Sequence, residues 1–534
     1  MHSEARLDCI IVGYHDIGFE RVEERAKQAG TYTGAYHALT TESVRFHGKR
    51  LPYMDLLNHC VSKARGTPSQ LHVTELPSLG VCHLYSFLNN RGLKAEMINS
   101  FDHEQSRFQE LLSQAPRAVA ITTTFYVEYP AILDIVTFIR RHDPATKIIV
   151  GGPHIYNLCS GCDNVALEYV LELIGADIYI FDSQGELTLS RVLGALREQS
   201  TPALASIPNL LYKTDEGFNK TERVVENNSM DENRVAWESL SPELIAPTVQ
   251  MRTARSCAFK CAFCSYPTLA GPLSLTSLDF VETQLRYFRE IGVQNLVFVD
   301  DTFNVPLPRF KSLCRILAEY GFQWFSYFRC SNADREAFDL MQKSGCAGVF
   351  LGIESGDQMV LNNMNKFADV GKYLEGIDSL TARGIMTFTS LIVGFPGETA
   401  DTIQRTIEFI ERARPTFYRA ELYWHETLVK VPVHERADAF QLTGGGYNWR
   451  HSSMDWNEAC GWIDYMYRAI GNSIVLPGYM FNFWALPYLI GKGFSLDKLK
   501  AFTARAQRML IQGLGAGKGE MLQEEEELTG LFRA

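Results

Sequence analysis

Short apolar runs alternate with amphipathic segments along the first half of the chain. Candidate strands are Asp8–Gly13, Ala118–Thr123, Lys147–Gly151, Asp177–Phe181 and Asn209–Tyr212. Several are continuously apolar, as strands buried on both faces are. Helical patterns such as Leu84–Asn90 and Ile132–Arg141 lie between them. This alternation predicts an α/β fold that begins with a doubly wound, Rossmann-like parallel sheet.

A second alternating series follows the polar stretch Thr214–Arg234, which indicates a linker that we place at residues 214–240. Its candidate strands are Gln250–Thr253, Asn295–Val299, Trp324–Phe328, Gly348–Ile353, Thr387–Val393 and Arg419–Trp424. Helical segments such as Leu278–Ile291 separate these strands. Six strand–helix units predict an open, partial (β/α)6 barrel, and chemistry in such barrels lies at the carboxyl ends of the strands.

These patterns divide the chain into residues 1–213, the linker, a barrel at 241–432 and a small mixed C-terminal region at 433–534. Ile474–Ile490 is apolar but is interrupted by prolines, a glycine and an asparagine. It is therefore expected to be buried core or a wall of the active site, because a membrane span needs about 20 unbroken apolar residues. Gln523–Glu527, with four consecutive glutamates, is expected to be a solvated, frayed tail.

The composition is that of an ordinary soluble globular protein, with 46% hydrophobic and 21% charged residues among 534. The net charge of -11 gives no general electrostatic case for binding nucleic acid or an anionic membrane. Met1–Arg6 contains no apolar signal region. Twelve cysteines without such a region favour a cytoplasmic location, and metal or redox use instead of a disulfide framework.

The strongest chemical motif is a trio of cysteines, Cys257, Cys261 and Cys264, within eight residues after a predicted strand. Three thiolates can bind one iron–sulfur cluster and leave one iron open to an outside ligand. The alternatives are a chance grouping or a zinc site, although zinc usually takes four ligands in two pairs.

The cysteine spacing, with Phe263 before the third cysteine, resembles the signature of the radical S-adenosylmethionine (SAM) superfamily. The resemblance implies a [4Fe–4S] cluster whose open iron chelates SAM, which is then split to methionine and a 5′-deoxyadenosyl radical. Later strand ends are similar to the family's SAM-contacting segments. The resemblance implies that Asp300 and Asp301 contact the SAM amino group and that Glu354 and Ser355 contact the ribose. It also implies that Gly394 lies next to the adenine. Taken alone, the acidic residues are also explained by a helix cap or a salt bridge.

Ligands of a doubly wound sheet bind at the carboxyl ends of its strands. Three predicted strands end in residues that fit such a site, and glycines among them allow a bulky planar ligand to approach the backbone. These residues are Thr122, Thr123, Thr124 and Phe125; Gly151, Gly152, Pro153 and His154; and Ser183, Gln184, Gly185 and Glu186. Each motif alone is more often structural.

Together with the cysteine motif, these segments resemble the cobalamin-binding subgroup of radical SAM enzymes. The resemblance covers roughly residues 75–430 and implies cobalamin between the two domains. The D-x-H-x-x-G motif of cobalamin mutases is absent, so we expect no histidine on the lower face of cobalt. Cys159 and Cys162 form a C-x-x-C pair, which we interpret as two loop cysteines instead of a redox or metal pair.

Candidate substrate residues lie near the end of the barrel and beyond it. Tyr423 and His425 follow the sixth predicted strand, and Arg450 and His451 follow a glycine loop that could cover the barrel. Arg450 and His451 are suited to binding an anionic group, and the alternative is a packed surface loop. Segments 9–14, 34–37 and 449–454 also resemble the phosphinothricin-pathway P-methyltransferase group.

The resemblance implies a cobalamin-dependent radical SAM methyltransferase, which transfers methyl from methylcobalamin to a substrate radical centred on carbon or phosphinate phosphorus. It also implies an external one-electron reductant of the flavodoxin or ferredoxin type and a small-molecule or peptide substrate, without nucleic acid or membrane. Three alternatives remain: a non-methylating rearrangement or cyclisation, a radical SAM enzyme without cobalamin, and a non-catalytic sensor.

Overall fold

The computed structural model describes residues 6–126, 128–198, 203–514 and 521–533. Most of the segment Met1–Arg6, in which no signal sequence is predicted, lies outside these residues. Within the described ranges, no helix is long and apolar enough to cross a membrane.

The first part of the chain alternates strands and helices. Its strands are β1 (Cys9–Tyr14), β2 (Ser43–Phe46), β3 (Lys49–Pro52), β4 (Ala95–Ser100), β5 (Ala118–Thr122), β6 (Lys147–Gly151), β7 (Ile178–Ile180), β8 (Leu210–Thr214) and β9 (Gly217–Lys220). Its helices are α1 (Phe19–Ala29), α2 (Gly34–Thr40), α3 (Tyr53–Arg65), α4 (Leu79–Asn89), α5 (Gln105–Ser113), α6 (Pro130–His142), α7 (Pro153–Gly161), α8 (Asn164–Ile174) and α9 (Glu186–Glu198).

Seven of these strands form one sheet in the order β4-β1-β5-β6-β7-β8-β9. The first five are parallel, which confirms the predicted Rossmann-like sheet. At one edge, β8 pairs antiparallel with β7, and β9 pairs antiparallel with β8. The pattern did not reveal β4, because Glu96 and Asn99 interrupt its apolar run. The Asn99 side chain is buried and donates to the carbonyls of Thr74 and Leu76.

The middle of the chain builds a second sheet and its helices. The strands are β10 (Thr248–Met251), β11 (Ala254–Arg255), β12 (Ser274–Leu275), β13 (Asn295–Phe298), β14 (Gln323–Tyr327), β15 (Cys346–Glu354), β16 (Met386–Val393) and β17 (Phe417–Leu422). The helices are α10 (Pro242–Ile245), α11 (Tyr266–Ala270), α12 (Leu278–Glu290), α13 (Leu307–Leu317), α14 (Arg335–Lys343), α15 (Gln358–Asn363), α16 (Val370–Thr381) and α17 (Ala400–Ala413).

The C-terminal part is mixed, as predicted. It comprises α18 (Ala437–Phe440), β18 (Thr443–Gly445), β19 (Asn448–His451), β20 (Met454–Asp455), α19 (Trp456–Ala469), β21 (Ile474–Val475), α20 (Ala485–Gly491), α21 (Leu496–Gly513) and α22 (Met521–Gly530).

The second sheet is all parallel, in the order β10-β13-β14-β15-β16-β17-β21. Its first six strands are those predicted for the partial barrel, and the short β21 adds a seventh. The barrel is open because β10 and β21 are the two edges of this sheet. The stretch Ile474–Ile490 is largely buried, as predicted, and supplies β21 and α20.

The acidic C-terminal segment is not a frayed tail, so that prediction is wrong. Residues 521–530 form α22, and its Glu525 is buried against α3 and the β2–β3 hairpin. The Glu525 carboxylate bonds to His47 and His59 at 3.0 and 2.9 Å and to Lys63 at 2.9 Å. Three cationic or potentially cationic partners compensate for burial of this carboxylate, and apolar Leu528 buries beside it.

Candidate active site

A cavity of about 880 Å3 lies where the carboxyl ends of the two sheets face each other. The first sheet contributes the ends of β1, β5, β6 and the loop after β7, and the barrel contributes the ends of β10, β13 and β14. Parallel sheets bind ligands at this edge because the strand-to-helix loops gather there. The fold therefore brings the two predicted ligand-binding edges to one space.

Many predicted cofactor residues line this cavity. They are Thr122, Thr124, Phe125, Gly151, Gly152, Pro153, Ser183, Gln184, Gly185, Glu186 and Asp301. The others lie outside its lining: Thr123, His154, Phe263, Asp300, Glu354, Ser355 and Gly394. Met480, Asn482 and Trp484 also line it, so the stretch Ile474–Ile490 does supply a wall.

Gly152 brings the backbone after β6 close to Thr123. Its φ of 114° lies in the region that favours glycine, and an added Cβ would lie 2.8 Å from Thr123 Oγ1. Thr123 donates this hydroxyl to the Gly151 carbonyl at 3.0 Å. Because Gly152 has no side chain, the backbone after β6 lies close against β5. This backbone forms a flat floor of the cavity, which suits a broad planar ligand.

The two histidines that line the cavity are both engaged by carboxylates. His15 contacts Asp102 through Nδ1 at 2.8 Å and Asp134 through Nε2 at 3.1 Å. His83 Nε2 lies 3.3 Å from a Glu186 oxygen. Burial opposes the charge on His15, but the two aspartates outweigh it and raise its pKa. His15 is therefore suited to be a cation, not a metal ligand.

The cysteine loop follows β11 at the carboxyl end of the barrel, beside the cavity. Cys257 Sγ lies 3.3 Å from Thr302 Oγ1, next in sequence to the cavity-lining Asp301. The Ala262 amide donates to Met364, and the Ala262 carbonyl accepts from the Val433 amide. Backbone bonds to two other segments thus fix the path of the loop.

The three thiols are free and are close enough to affect one another. Burial, followed by the charges of Cys261, Cys257 and Asp301, raises the pKa of Cys264 to about 11. In the described part of the chain, no three His, Cys, Asp or Glu side chains already surround one metal position. Three thiols on one short loop fit an iron–sulfur cluster, provided that their side chains turn toward it on binding.

The two predicted aspartates after β13 differ in their surroundings. Asp300 is buried and accepts from the Thr253 amide at 2.6 Å, the Thr253 hydroxyl and the Ala254 amide. It fixes the segment that leads into the cysteine loop. Asp301 faces the cavity, where burial raises its pKa to about 6 against the opposing charge of Arg252.

Glu354 and Ser355 lie behind the cysteine loop, outside the cavity lining. Glu354 ends β15 with a left-handed φ of 66° and forms a buried ion pair with Lys366 at 2.7 Å. The Lys366 ammonium also lies 5.6 Å from the centre of the Phe263 ring, within cation–π range. Ser355 is fully buried, and its hydroxyl lies 3.2 Å from that of Thr406.

Gly394 belongs to a loop after β16 that is fixed from both sides. Its amide donates to Glu398 at 2.5 Å, and its carbonyl lies 3.2 Å from His451 Nε2. Burial raises the pKa of Glu398 to about 8. An added Cβ at Gly394 would lie 2.3 Å from the Trp449 ring, so only glycine allows this packing.

The four predicted catalytic residues do not line the cavity. His451 stacks on Trp449, and the Tyr423 hydroxyl lies 3.4 Å from His425 Nδ1. All three of Tyr423, His425 and His451 are buried behind the Gly394 loop, whereas Arg450 is exposed. Tyr423 reaches this loop through a ring contact with Phe395.

Several lining residues have no signal in the sequence pattern. Seven residues of the predicted linker line the cavity: Asn228, Ser229, Met230, Asn233, Arg234, Val235 and Trp237. Their neighbours 217–220 form β9. Arg252 and Arg255 also line it, and their place at the end of a predicted strand beside the cysteines could have identified them. Cys159 and Cys162 are free and lie against the core of the first domain. The interpretation as two loop cysteines is wrong for Cys159, which belongs to α7, whereas Cys162 directly follows that helix.

Arg255 links the two halves of the site. Its guanidinium donates to Gln184 Oε1 at 2.9 Å and to the Asn228 carbonyl at 3.0 Å. Gln184 follows β7 of the first sheet, and Arg255 stands two residues before Cys257. One side chain thus connects the cysteine loop to the floor of the facing domain.

Comparison with known proteins agrees with this arrangement. Residues 251–410 match the model described as the radical SAM superfamily. This match includes the three cysteines and β13 to β16, so this part of the chain is a radical SAM domain.

Solved structures show the same fold over more of the chain. The radical SAM methyltransferase TsrM from Kitasatospora setae, with cobalamin and a [4Fe–4S] cluster bound, has a TM-score of 0.60 and 16% identity, covering 86% of this chain and 96% of that one. The cobalamin-dependent SAM radical enzyme OxsB, with aqua-cobalamin and SAM bound, has a TM-score of 0.52 and 18% identity, covering 65% and 51%. At these identities, the likeness shows the shared fold.

A curated relative carries a methyltransferase name. The uncharacterized methyltransferase PH0819 from Pyrococcus horikoshii is 25% identical over 311 residues, which are 56% of this chain and 64% of that protein. The match thus spans somewhat less than two thirds of that relative.

Proposed function

We propose that this chain is a cobalamin-dependent radical SAM methyltransferase. The observation that carries the proposal is one cavity that joins the carboxyl end of a Rossmann-like sheet to the carboxyl end of a radical SAM domain, beside three free cysteines. The fold of TsrM and the name of PH0819 support the same assignment.

The donor sets of the site fit the cofactors. Cys257, Cys261 and Cys264 would hold the cluster, and Asp301, which lines the cavity, would hold the SAM amino group. Thr122, Thr124, Phe125, Gly151, Gly152 and the loop Ser183–Glu186 would hold cobalamin. When bound, these groups supply one-electron cleavage of SAM and a carrier for the methyl group.

The protein's own part is positioning and exclusion of water. Arg255 fixes the cysteine loop relative to Gln184, and Asp300 fixes the strand end that precedes that loop. His451 contacts the Gly394 carbonyl, Tyr423 contacts Phe395 of the same loop, and His425 contacts Tyr423. All three are proposed as positioning residues. Arg450, which is exposed beside this loop, is the remaining candidate for contact with an anionic substrate.

The partners follow from this chemistry. The substrate is proposed to be a small molecule or peptide, without nucleic acid or membrane, and the setting is proposed to be cytoplasmic. A reductant outside the chain would supply single electrons. OxsB, a cobalamin-dependent SAM radical enzyme whose description specifies no methyl transfer, favours one alternative: the same cofactors used for a rearrangement or cyclisation.

The test that separates methyl transfer from a rearrangement or cyclisation uses methyl-labelled SAM and needs no substrate. The reconstituted protein, loaded with hydroxocobalamin and reduced by titanium citrate, is incubated with the labelled SAM. Label in the cobalamin recovered from the protein supports methyl transfer. SAM cleaved to 5′-deoxyadenosine with no label in cobalamin would contradict it and favour the alternative.

A further inference from the structure

A buried arginine lies against the cysteine loop without a partner for its charge. Arg329, which follows β14, is 9% exposed, and its guanidinium carbon lies 3.7 Å from the centre of the Phe259 ring. Phe259 stands between Cys257 and Cys261 in the loop. The Nη2 atom of Arg329 is buried and has no hydrogen-bond partner among the described residues. Because an unpaired buried donor is costly, this atom indicates an acceptor beside the loop that the polypeptide itself does not supply.

Two more buried polar groups lie close to Arg329. The Lys366 ammonium is 5.6 Å from the centre of the ring of Phe263, which immediately precedes Cys264. The Tyr373 hydroxyl is buried and also has no hydrogen-bond partner among the described residues. Burial raises the pKa of Tyr373, and the charges of Lys366 and Arg329 oppose that rise, so both cations lie within electrostatic range of this hydroxyl. Three buried donors from separate segments thus face one region beside the cysteine loop.

Carboxylates do not fully neutralise the two cations. Glu354 pairs with Lys366 at 2.7 Å. In the part of the chain that the structure describes, no carboxylate lies within salt-bridge distance of the Arg329 guanidinium. One positive charge therefore remains uncompensated here. A buried charge is retained where a group of opposite charge meets it, because burial without one is expensive.

The turn that carries Lys366 is bound to the cysteine loop on both sides of Cys261. The residue before Cys261 accepts a hydrogen bond from the Asn365 side chain, and the residue after it donates to the Met364 carbonyl, each at 2.8 Å. Burial opposes the charge on Lys366, whereas Glu354 and then Cys261 favour it. The Lys366 ammonium is therefore held within electrostatic range of the Cys261 thiol.

We propose that Arg329 and Lys366 compensate the charge of the iron–sulfur cluster and raise its reduction potential. This inference rests on the proposed function, since it requires a cluster on the three cysteines. An oxidised [4Fe–4S] core with three thiolates has a net charge of about -1, and one electron from the reductant makes it about -2. Neighbouring cations stabilise the more negative, reduced form, and donors to the sulfurs act in the same direction.

The test is a redox titration of the full chain reconstituted with iron and sulfide, without SAM. Electron paramagnetic resonance of the reduced cluster gives the midpoint potential. In Arg329→Met, the ratio of reduced to oxidised cluster at a fixed potential should fall about tenfold, which is a shift of about 59 mV to more negative potential. Arg329→Lys keeps the charge and should restore most of the parental potential. Arg91→Met is the matched control, because Arg91 lies over the Phe87 ring at 3.5 Å in the first domain.

Iron analysis checks that each variant holds a cluster. Lys366→Met should shift the potential in the same direction and gives the same test if Arg329→Met takes up no cluster. Parental potentials in these variants, or an equal shift in Arg91→Met, would overturn the inference. An Arg329→Met chain with the parental potential but weaker SAM binding would also overturn it, because the arginine would then serve the SAM carboxylate. A parent that takes up no iron would instead overturn the proposed function, and this inference with it.

Discussion

Lys366 and Glu354 form a buried ion pair directly behind the cysteine loop, with 2.7 Å between Nζ and Oε1. Burial opposes the charge on Lys366, but Glu354 outweighs it and raises its pKa. The pair connects the end of β15 to the turn that contacts the Lys260 carbonyl through Asn365. It therefore stabilises the segment on which the cysteine loop rests.

Breaking one side of this pair should be costly. Glu354→Gln leaves the Lys366 charge buried without its partner and should lower the free energy of unfolding by about 3 kcal/mol. The double variant Glu354→Gln/Lys366→Met should lose less than the single variant, because no charge remains buried. Urea unfolding of the metal-free chain measures both. Equal losses in the two variants would show that the pair is not coupled.

Gly152→Ala should reduce cobalamin binding. The added Cβ would meet Thr123 Oγ1 at 2.8 Å and raise the cavity floor. The matched control is Gly217→Ala, since Gly217 has a similar φ of 119° but nothing within 4 Å of an added Cβ. Gly217→Ala should lose about 1 kcal/mol of stability through its positive φ, and Gly152→Ala should lose more because of the added clash. Only Gly152→Ala should lose affinity for hydroxocobalamin in a spectroscopic titration. Equal affinities in the two variants would contradict the assigned floor.

Arg255→Met should uncouple the two halves of the site. It removes the donors to Gln184 and Asn228 but no residue proposed to bind iron or cobalamin. Iron and cobalt contents should stay at parental levels, while transfer of label from SAM to cobalamin falls about tenfold. Transfer at the parental rate would show that Arg255 does not set the distance between the cofactors.

Much of the fold could be predicted because local patterns determine it. Each such pattern can be recognised from a few consecutive residues. Examples are the continuously apolar strands β5 and β6 and the compact cysteine motif. β4 was not predicted because Asn99 interrupts its apolar run. The buried Asn99 side chain donates hydrogen bonds to carbonyls 23 and 25 residues away in the sequence. Contacts at long range left no local signal at all: Arg255 meets Gln184 across 71 residues.

The glutamate run at the C-terminus shows the same limit. Four consecutive carboxylates are typical of a solvated tail, but Glu525 meets His47, 478 residues earlier in the chain. The charges that compensate for the burial of Glu525 come from distant parts of the chain, so the sequence around Glu525 does not indicate that it is buried.

Glu525 also predicts a pH dependence of stability. Burial tends to raise its pKa, but its partners His59, Lys63 and His47 lower it to about 2. Because the folded-state pKa is depressed, the stabilisation is present above the ordinary value of about 4.5 and is lost as the pH falls toward about 2. Glu525→Gln should therefore cost about 2 kcal/mol at pH 7 and nothing near pH 2. A difference between parent and variant that does not shrink below pH 4.5 in urea unfolding would contradict this.

The two-cofactor site is tested most directly by counting metals after anaerobic reconstitution with iron, sulfide and hydroxocobalamin. The parent should hold about four irons and one cobalt per chain. The triple variant Cys257→Ala/Cys261→Ala/Cys264→Ala should lose the iron and keep the cobalt. Iron without cobalt in the parent would contradict the cobalamin site, and the methyltransferase assignment would fall with it.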